Sequence, residues 1–556
     1  MKLEVDLTRG PSLMPPPSRG DRRRTTAARG FSCKRAKQQI AKTEAERAQH
    51  LPLWRAGFNL TMPDRNCFDG KTAGSPRQPQ ELVDSYGLRA LRRGQGNLIG
   101  AMAPPEQPWA KVKAGIGIPE DRREAIAPGL ERVTDTFFEY LGKSRFASEA
   151  HTMAADLMVS TGFMTIDVGT KMRPLRIQAV PLHECFPVEG PEGDIQNVYR
   201  KYMVTPENLV GQWPMLVLTS RLRRIMEQDP TATVEIIEAT TFEEQRGYRF
   251  TIFDPADDSV LYDVAPSDPN EPSRWITPRL YTRPGENYGV GCVVEALPTL
   301  RTMNKLQEIS LKAGARFYQP PLLIDSMSGQ NPHTMRLSPN SVGMFNGAAL
   351  NGRAPFISLP ANGVPQWGGM EIEKMHALVD DIMFAGEIVG PAEDLKGVTA
   401  TAVSIRKQQL LLQQGVDLGR LQREFPFAVM RRGLWVLSKL GILDVPINID
   451  QFLFDVDYLG PLAQAQKAER ANNVLGFVSA IRGSIGDQMA SLGIRTEDTS
   501  SIVGGMWPDV PAELLRTKEE REAMQKQAAQ IAAAQAAGSA PTMDPTALPG
   551  SNLGAM

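Results

Sequence analysis

The chain has 556 residues, 42% of them hydrophobic, and a formal net charge of −1 from 62 Lys and Arg against 63 Asp and Glu. This length exceeds what a single core organises and predicts roughly three to five structural units. The composition argues against a disordered chain and against a strongly basic nucleic-acid binder. The sequence contains no run of about 18 apolar residues, so no membrane span is predicted.

The charge is unevenly distributed along the chain. Residues 1–50 carry 12 Lys or Arg against 5 Asp or Glu, so the remainder is mildly acidic. Proteins that grip nucleic acid through their folded domains show the opposite distribution. Residues 1–37, which contain PPP and DRRR, predict a flexible arm and not a secretory signal. The DRRR run either contacts phosphates or is simply solvated.

Helices and then strands are predicted in the N-terminal half. Apolar residues at steps of three and four predict helices over residues 38–60, Glu81–Ala101 and Arg122–Thr161. The period then changes to two, which predicts short strands, with a helical interval at residues 205–228. The predicted strands are FMTIDVG, LRIQAVPL, HECFPVEG, QNVYRKYMV, Ala232–Glu243, Tyr248–Asp254, Ser259–Val264 and Ile276–Thr282.

Two predicted helices that flank a short broken segment organise the C-terminal half. A helix over Val293–Ala313 precedes a Pro- and Gly-rich, β-type stretch at residues 317–369. Glu371–Ile388 follows as a helix with one apolar stripe, and Gly390-Pro391 should end it. Ala392–Gly397 reads AEDLKG and predicts a mobile loop, with an ordinary surface hairpin as the alternative.

A long helix is predicted beyond this loop. It begins near Thr401, continues through Asp417–Leu440, and should kink at Pro426. A strand at residues 447–460 and an amphipathic helix at Leu462–Ile481 follow. The last predicted elements are an Ala- and Gln-rich helix at Ala512–Ala537 and a Gly- and Pro-rich tail.

The sequence lacks the motifs of common enzyme classes. GKS at residues 142–144 matches the end of a Walker A motif, but Phe137 stands where its first glycine belongs. GVG at residues 289–291 begins a dinucleotide-binding fingerprint that Val294 breaks. The four cysteines form no CxxC pair, and the five histidines show no metal-ligand spacing. We therefore expect neither an enzyme nor a cofactor or bound metal.

Two adjacent acid pairs are the remaining candidates for magnesium binding. They are Asp380-Asp381 and Glu393-Asp394. Neighbouring residues of a helix point in different directions. A solvated face is therefore the favoured interpretation of both pairs.

The order of the elements, together with three stretches, resembles the portal (head-to-tail connector) proteins of tailed bacteriophages, most closely the T7-like podovirus type. Two stretches are SYGLRALRRGQGNLIGAMAPPEQPWAKV (85–112) and RPGENYGVGCVVEALPTLRTMNKLQEISLKAG (283–314). The third is the entry from GVTA (397–400) into the long helix that reaches Leu440. This third stretch departs from the family pattern, which commonly has Glu after VTA where this chain has Thr401-Ala402.

This resemblance implies an α+β, mainly helical subunit that assembles as a ring around an axial channel. The implied parts are a basic flexible N-terminal arm (1–50), a wing of helices and a β-rich part (51–291), a first stem helix (292–316), the clip (317–370), a second stem helix (371–387), the tunnel loop (388–401), the long kinked wing helix (402–460), the crown (461–537) and a flexible tail (538–556).

The resemblance also implies function and partners. The ring, a homo-oligomer of about twelve copies, would occupy one capsid vertex of the virion after assembly in the host cytoplasm. Double-stranded DNA would pass through it during packaging and ejection. The implied protein partners are the terminase, the major capsid and scaffold proteins, and a tail adaptor, with no membrane and no cofactor.

Two sets of residues are candidates for contact with DNA or with neighbouring copies. The tunnel-loop set is Pro391, Glu393, Asp394, Lys396 and Gly397, in which the two acids balance a lysine that projects into the opening. The stem set is Arg301, Lys305, Lys312 and Arg316, which either lines the channel or forms salt bridges between subunits. The alternatives to a portal are a DNA-processing ring enzyme (a translocase or nuclease) and a structural adaptor without DNA contact.

Overall fold

A computed structural model of the chain describes residues 31–68, 82–105, 107–115, 120–266, 268–318, 322–324, 356–358, 365–386, 418–443, 454–458 and 461–485. Helices and strands are mixed along it, which agrees with the predicted α+β class. The chain divides into two compact units, Met1–Ala48 with Glu184–Pro269, and Gln49–His183 with Asn270–Met556. In the described ranges, no helix has both the length and the hydropathy that crossing a bilayer requires.

The described elements follow one another as a mainly helical start, a run of strands and a mainly helical end. In chain order they are α1 (Cys33–Thr61), α2 (Tyr86–Met102), β1 (Ala110–Ala114), α3 (Glu120–Lys143), α4 (Phe146–Val159), β2 (Met164–Thr170), β3 (Arg173–Ala179), β4 (Cys185–Glu189), β5 (Ile195–Val204), α5 (Pro206–Gln212), α6 (Ser220–Gln228), β6 (Val234–Glu243), β7 (Gly247–Asp254), β8 (Ser259–Val264), β9 (Trp275–Ile276), α7 (Cys292–Tyr318), β10 (Leu322–Ile324), β11 (Phe356–Ser358), α8 (Pro365–Ile382), α9 (Leu418–Gln422), a π-helical turn (Arg423–Phe427), α10 (Ala428–Lys439), β12 (Phe454–Tyr458) and α11 (Pro461–Ile485).

The first unit is built on an antiparallel sheet with the strand order β4-β5-β6-β7-β8. One sheet face packs against the start of α1, where Cys33, Ala36 and Ile40 are buried at helical spacing. The other face packs against α5, α6 and the segment between them through Leu209, Leu216 and Leu222. Alternate strand residues therefore supply two separate hydrophobic cores.

Helix α1 corrects the predicted N-terminal arm. Because the helix begins at Cys33, the flexible arm predicted over residues 1–50 is wrong for residues 33–50. The first two turns of the helix, from Cys33 to Ile40, fix this part of the chain on the sheet. Residues 1–30 lie outside the described part of the chain.

In the second unit, helices pack around two small sheets. Helix α4 contacts α2, α7 and the three-stranded sheet β3-β2-β9, and α10 packs against β2 and β3. A β1–β12 ladder pairs strands that are more than 300 residues apart, from Ala110↔Tyr458 to Ala114↔Phe454. Gly291 explains the GVG stretch, because a Cβ there would lie 2.1 Å from the Met158 carbonyl oxygen. Close helix packing accounts for this glycine.

Several predicted helices and strands are shorter or divided. The helix predicted over Arg122–Thr161 breaks before Phe146, whose N–H donates to Ser144 Oγ over 3.1 Å. The helix predicted over residues 205–228 is two helices, with Pro214 in the segment that separates them. The strand predicted over Ile276–Thr282 is also wrong in length, because β9 ends at Ile276.

The boundaries around α7 and α8 also shift. The first helix extends to Tyr318, beyond the predicted limit at residue 316, and the second begins at Pro365, inside the predicted clip. α8 ends at Ile382, so the predicted end at Gly390-Pro391 is wrong. A π-helical turn spans Arg423–Phe427, where a kink at Pro426 is predicted. The predicted loop at 388–401 and the helix at Ala512–Ala537 lie outside the described residues.

Candidate functional site

Helices α7 and α8 pack against each other, and the antiparallel β10–β11 pair lies between them in sequence. Helix α7 begins in the core of the second unit, where Val293, Leu297, Leu300 and Met303 are buried. Between Asn304 and Ala315, by contrast, none of its residues is buried. The pair therefore leaves the core of its own chain partway along α7.

Large apolar side chains stay exposed on this helix pair. The exposed fractions are 53% for Ile309 and 57% for Leu311 on α7, and 62% for Met370 and 50% for Leu378 on α8. Burying such a side chain contributes about 1.5–3 kcal/mol. Four of them on one helix pair form an exposed apolar surface of the kind that marks interaction sites.

A stripe of charges follows one side of α7. Arg301, Lys305, Glu308 and Lys312 are separated by four, three and four residues, so they share one side of the helix. Lys305 Nζ lies 2.8 Å from Glu308 Oε2, and Lys312 pairs with the other carboxylate oxygen. Hydrogen bonds from Lys305 and Lys312 lower the pKa of Glu308 to about 2. One carboxylate thus partly neutralises the two lysines.

The structure places the predicted site residues unevenly. It brings Arg301, Lys305 and Lys312 of the stem set together on this stripe. Arg316 is on the same helix, but its side chain is outside the described part of the structure. The tunnel-loop set lies wholly outside the described residues, namely Pro391, Glu393, Asp394, Lys396 and Gly397.

A polar cluster attaches α8 to the start of α2. We call Asp84, Tyr86, Arg93, His376 and Asp380 the junction cluster. The Tyr86 hydroxyl donates to Asp380 Oδ2 over 2.5 Å, and Arg93 Nη2 lies 3.7 Å from Asp380 Oδ1. The rings of Tyr86 and His376 stack with centroids 3.7 Å apart, and His376 Nε2 lies 3.3 Å from Asp84 Oδ2.

Helix α7 joins the same attachment. Asn304 Oδ1 accepts hydrogen bonds from the backbone N–H groups of Val83 and Asp84 over 2.8 and 3.1 Å. Burial, followed by the hydrogen bond to Asp380, raises the pKa of Tyr86. Tyr86 therefore remains a protonated donor at neutral pH. All three helices are fixed to one another where α7 leaves the core.

Sequence reasoning missed the junction cluster. Asp380 was assigned to a solvated face, but its side chain is only 19% exposed and is hydrogen-bonded to Tyr86. That assignment is therefore wrong for Asp380. Its partner lies 294 residues away, and local spacing carries no signal for such a contact. No group of residues with metal-ligand geometry occurs within the ranges that the structure describes.

The C-terminal end of α8 is held in a tight turn against α2. Ala385 N–H donates to Asp380 O over 2.8 Å, while Phe384 is buried with a φ of +56° in the left-handed region. This is a Schellman-type helix end with a phenylalanine where glycine is usual. Asn97 Nδ2 donates to Phe384 O over 2.8 Å, and a Cβ at Gly94 would lie 2.1 Å from Met383 O. The turn fits because residue 94 is glycine.

A buried ion pair fixes the π-helical turn. Arg279, 1% exposed, donates to Glu424 through its backbone N–H over 2.8 Å and through Nη2 over 2.7 Å. Arg420 Nη2 donates to Leu280 O over 2.7 Å. These contacts connect the turn to residues 279–282, which precede α7 in the chain. The site thus consists of a rigidly attached base and a projecting, charged helix pair.

Comparison with known proteins matches most of the sequence of this chain. The family model described as bacteriophage head to tail connecting protein matches residues 33–505. The chain is 22% identical over 529 residues to the probable portal protein of Bordetella phage BPP-1, with 88% of this chain and 90% of that protein covered. The matched range contains α1, the α7–α8 pair and the junction cluster.

Proposed function

Since the chain belongs to the family of bacteriophage head to tail connecting proteins, whose members are structural connectors and not enzymes, we propose that it forms the portal of its phage. In this proposal, copies of the chain close into a ring at the vertex where the head joins the tail. DNA passes through the ring during packaging and ejection. The subunit is of the T7-like type, and the ring contains about twelve copies related by cyclic symmetry.

The observation that carries the ring is the projecting half of the α7–α8 pair. A helix that buries no residue over Asn304–Ala315 gains little stability from its own chain. Neighbouring copies of the same pair would cover Ile309 and Leu311 on this half, together with the exposed Leu378 of α8. Cyclic closure supplies such a neighbour to every copy, because one face of each subunit meets a different face of the next.

The charges of α7 suit a wall past which DNA must move. Each lysine–phosphate contact releases counterions and adds affinity, and a ring repeats that contact in every copy. Because Glu308 pairs with both Lys305 and Lys312, the stripe attracts phosphate less strongly than free lysines would. Lys396, balanced by Glu393 and Asp394, has the same composition in the proposed tunnel loop at 388–401.

The remaining parts are assigned by the same proposal. The clip, residues 317–370, docks the terminase motor and then the tail adaptor. The wing, residues 51–291 and 402–460, meets the capsid and scaffold proteins. The crown, residues 461–537, lies on the inner side of the shell. The chain acts without a cofactor.

Assembly is the first test of the proposal. Purified protein should form a ring with a central opening in negative-stain images and a matching mass by mass photometry. Ile309→Asp and Leu378→Asp should abolish the ring, since each places a charge on the proposed subunit interface. Met172→Asp is the matched control, because Met172 is 91% exposed and lies away from the helix pair in sequence. A monomer under all conditions would overturn the ring.

Charge reversal separates the two orientations of the stem residues. If Lys305 and Lys312 face the channel, Lys305→Glu with Lys312→Glu should leave the ring intact and impair DNA packaging. If the lysines instead pair with a neighbouring copy, the same double variant should prevent assembly. If the double variant forms the same ring and packages DNA normally, Lys305 and Lys312 neither line the channel nor contact a neighbouring copy.

Deletion of Pro391–Gly397 tests the tunnel loop. The ring should assemble, and packaging or retention of DNA should fall. Loss of the ring would instead mean that this segment belongs to the subunit interface.

The two alternative functions predict different results. ATP hydrolysis or DNA cleavage that a point mutation abolishes would support a ring enzyme. A ring with a closed centre would support an adaptor without DNA contact.

A further inference from the structure

The hairpin formed by strands β2 and β3 ends in a tight turn. Thr170 faces Arg173 at the last position of the ladder, and Thr170 Oγ1 accepts a hydrogen bond from the Arg173 N–H over 3.3 Å. A Cβ at Gly169 would lie 2.0 Å from the Arg173 carbonyl oxygen, so a larger residue there would displace the turn. The turn therefore has a defined conformation, which residue 169 permits because it is glycine.

Buried contacts fix the other end of the hairpin. Arg432 of α10 donates from Nε to the Ile166 carbonyl oxygen over 3.0 Å, and Arg274 Nη2 lies 2.7 Å from Asp167 Oδ2. Both arginines are buried, whereas every residue from Thr170 to Arg173 is exposed. The hairpin thus presents an exposed tip from a fixed base.

The hairpin carries an excess of positive charge. Lys171, Arg173 and Arg176 are exposed, and within the described ranges none of these three side chains forms an ion pair. The one acid of the two strands, Asp167, lies opposite Arg176 in the ladder but pairs with Arg274. The charge of Asp167 is therefore already balanced, and three cations remain to attract an anionic partner.

An apolar side chain lies among these cations. Met172 is 91% exposed, which makes it the most exposed large hydrophobic residue in the part of the chain that the structure describes. Val168, two residues before the turn, is also exposed. Methionine is flexible and adapts to the surface of a partner. Cations around an exposed apolar side chain fit a partner that offers both carboxylates and apolar contacts.

The charge stripe of α7 shows the contrast with a surface that suits DNA. There Glu308 pairs with both Lys305 and Lys312, so the stripe attracts phosphate weakly. The hairpin has no acid left for this purpose, and each unbalanced cation adds affinity for phosphate, which would retain moving DNA. A phosphate backbone also offers little apolar surface to Met172. The residues of the hairpin therefore favour a stably bound protein over passing DNA.

We propose that the tip of this hairpin, residues 169–176, is a docking site for an acidic segment of a partner protein. Carboxylates of the segment pair with Lys171, Arg173 and Arg176. An apolar side chain of the segment covers Met172. The site depends only on residues of the hairpin, so the proposal stands whether or not the chain forms a ring.

Peptide binding to the full-length chain, followed by fluorescence anisotropy, tests the site. The probe is a labelled peptide of Glu and Leu residues, and it should bind the wild type. Lys171→Glu with Arg173→Glu should weaken this binding about tenfold or more, because two attractions become repulsions. The matched control, Arg223→Glu with Arg224→Glu on α6, changes the net charge equally at exposed positions and should leave the affinity unchanged.

Two further probes separate the apolar contact from the charges. Met172→Ser should weaken binding of the Glu and Leu peptide about threefold or more, and it should not change binding of a peptide in which Ser replaces Leu. A peptide in which Lys replaces Glu should bind the Lys171→Glu, Arg173→Glu variant more tightly than it binds the wild type. If that variant has a lower thermal midpoint than the wild type, Lys171→Gln with Arg173→Gln takes its place.

Four results contradict the docking site. The proposal is overturned if the wild type does not bind the Glu and Leu peptide, or if the hairpin and α6 variants lose affinity equally. It is also overturned if Met172→Ser leaves the affinity unchanged, since the tip then makes no apolar contact. A labelled DNA duplex that binds the wild type more tightly than the peptide does, and that loses affinity in the charge-reversed variant, would make the hairpin a phosphate site instead.

Discussion

The base and the projecting half of the α7–α8 pair are held by different interactions. At the base, Leu300 and Met303 are buried, and the junction cluster joins α8 to α2. On the projecting half, the described contacts of α7 include exposed ion pairs such as Lys305–Glu308. Surface ion pairs contribute about 0–1 kcal/mol each. The base is therefore stabilised by buried contacts within one chain, whereas α7 buries none of its residues between Asn304 and Ala315 on the projecting half.

The largest expected loss of stability comes from breaking the buried ion pair at the base of the helix pair. Arg279→Met should lower the free energy of unfolding by about 3–5 kcal/mol, because it leaves the Glu424 carboxylate buried without its partner. Arg279 also lies against Gly289, three residues before α7 begins. Urea unfolding followed by tryptophan fluorescence measures the change. Lys305→Met on the projecting half is the control and should cost less than about 1 kcal/mol.

A double variant at Arg279 and Glu424 shows whether the unpaired carboxylate causes the loss of stability. Arg279→Met combined with Glu424→Leu removes both charges and should recover a large part of the stability. If the double variant is no more stable than Arg279→Met, the loss reflects packing and not the unpaired carboxylate. If Lys305→Met costs as much as Arg279→Met, the contrast between base and projecting half is wrong.

Alanine substitutions at two glycines of α2 should change stability by smaller amounts and in opposite directions. Gly94→Ala should destabilise the chain by about 1–3 kcal/mol, because its Cβ would meet Met383 O at 2.1 Å. Gly96→Ala has open space around it and should stabilise the helix by about 0.5–1 kcal/mol. Thermal unfolding of both variants measures the difference. Equal shifts would mean that α2 does not hold the end of α8.

These two glycines also show how far the sequence could lead. The helix at Glu81–Ala101 was predicted from local spacing, and the structure has it at Tyr86–Met102. Sequence spacing alone does not show that Gly94 tolerates a side chain less well than Gly96. The difference arises because Gly94 lies against Met383, which is distant in sequence. Local periodicity predicted many of the described elements, including β6 to β8.

The predictions that failed depended on distant partners. The arm was extended to residue 50 because its charge was visible, whereas the sheet that buries Ala36 and Ile40 is more than 140 residues away. The end of α8 was placed at Gly390-Pro391, the strongest local helix-breaking signal. Instead, Phe384 takes a left-handed conformation held by Asn97. Of the predicted site residues, only the exposed charges of α7 lie in the described part of the chain, and local sequence carries no signal for the junction cluster.

Substitutions in the junction cluster should cause the next largest loss of stability. Tyr86→Phe should cost about 1 kcal/mol, because Asp380 loses the hydroxyl donor but keeps Arg93 nearby. Asp380→Asn should cost a similar amount, and the double variant should cost less than the sum, as expected for contacting residues. Thermal unfolding of the three variants gives the coupling. Additive losses would mean that the 2.5 Å contact does not stabilise the chain.

The smallest effect concerns the charge stripe and acts through pH. Lys305 and Lys312 hold the folded-state pKa of Glu308 at about 2, below its ordinary value of 4.5. Below pH 4.5 the unfolded chain therefore binds more protons at this site than the folded chain. The stabilisation is fully present above about pH 4.5 and is lost as the pH falls through 2.

Glu308→Gln removes this titration and isolates its contribution. The difference in thermal midpoint between wild type and Glu308→Gln should be largest near pH 6 and should shrink as the pH falls towards 3. It should also shrink at about 1 M salt, where exposed charges are screened beyond roughly 3 Å. A difference that grows on acidification would reverse the sign of the argument. In that case the lysines would not neutralise Glu308, and the stripe would carry more positive charge towards DNA than proposed.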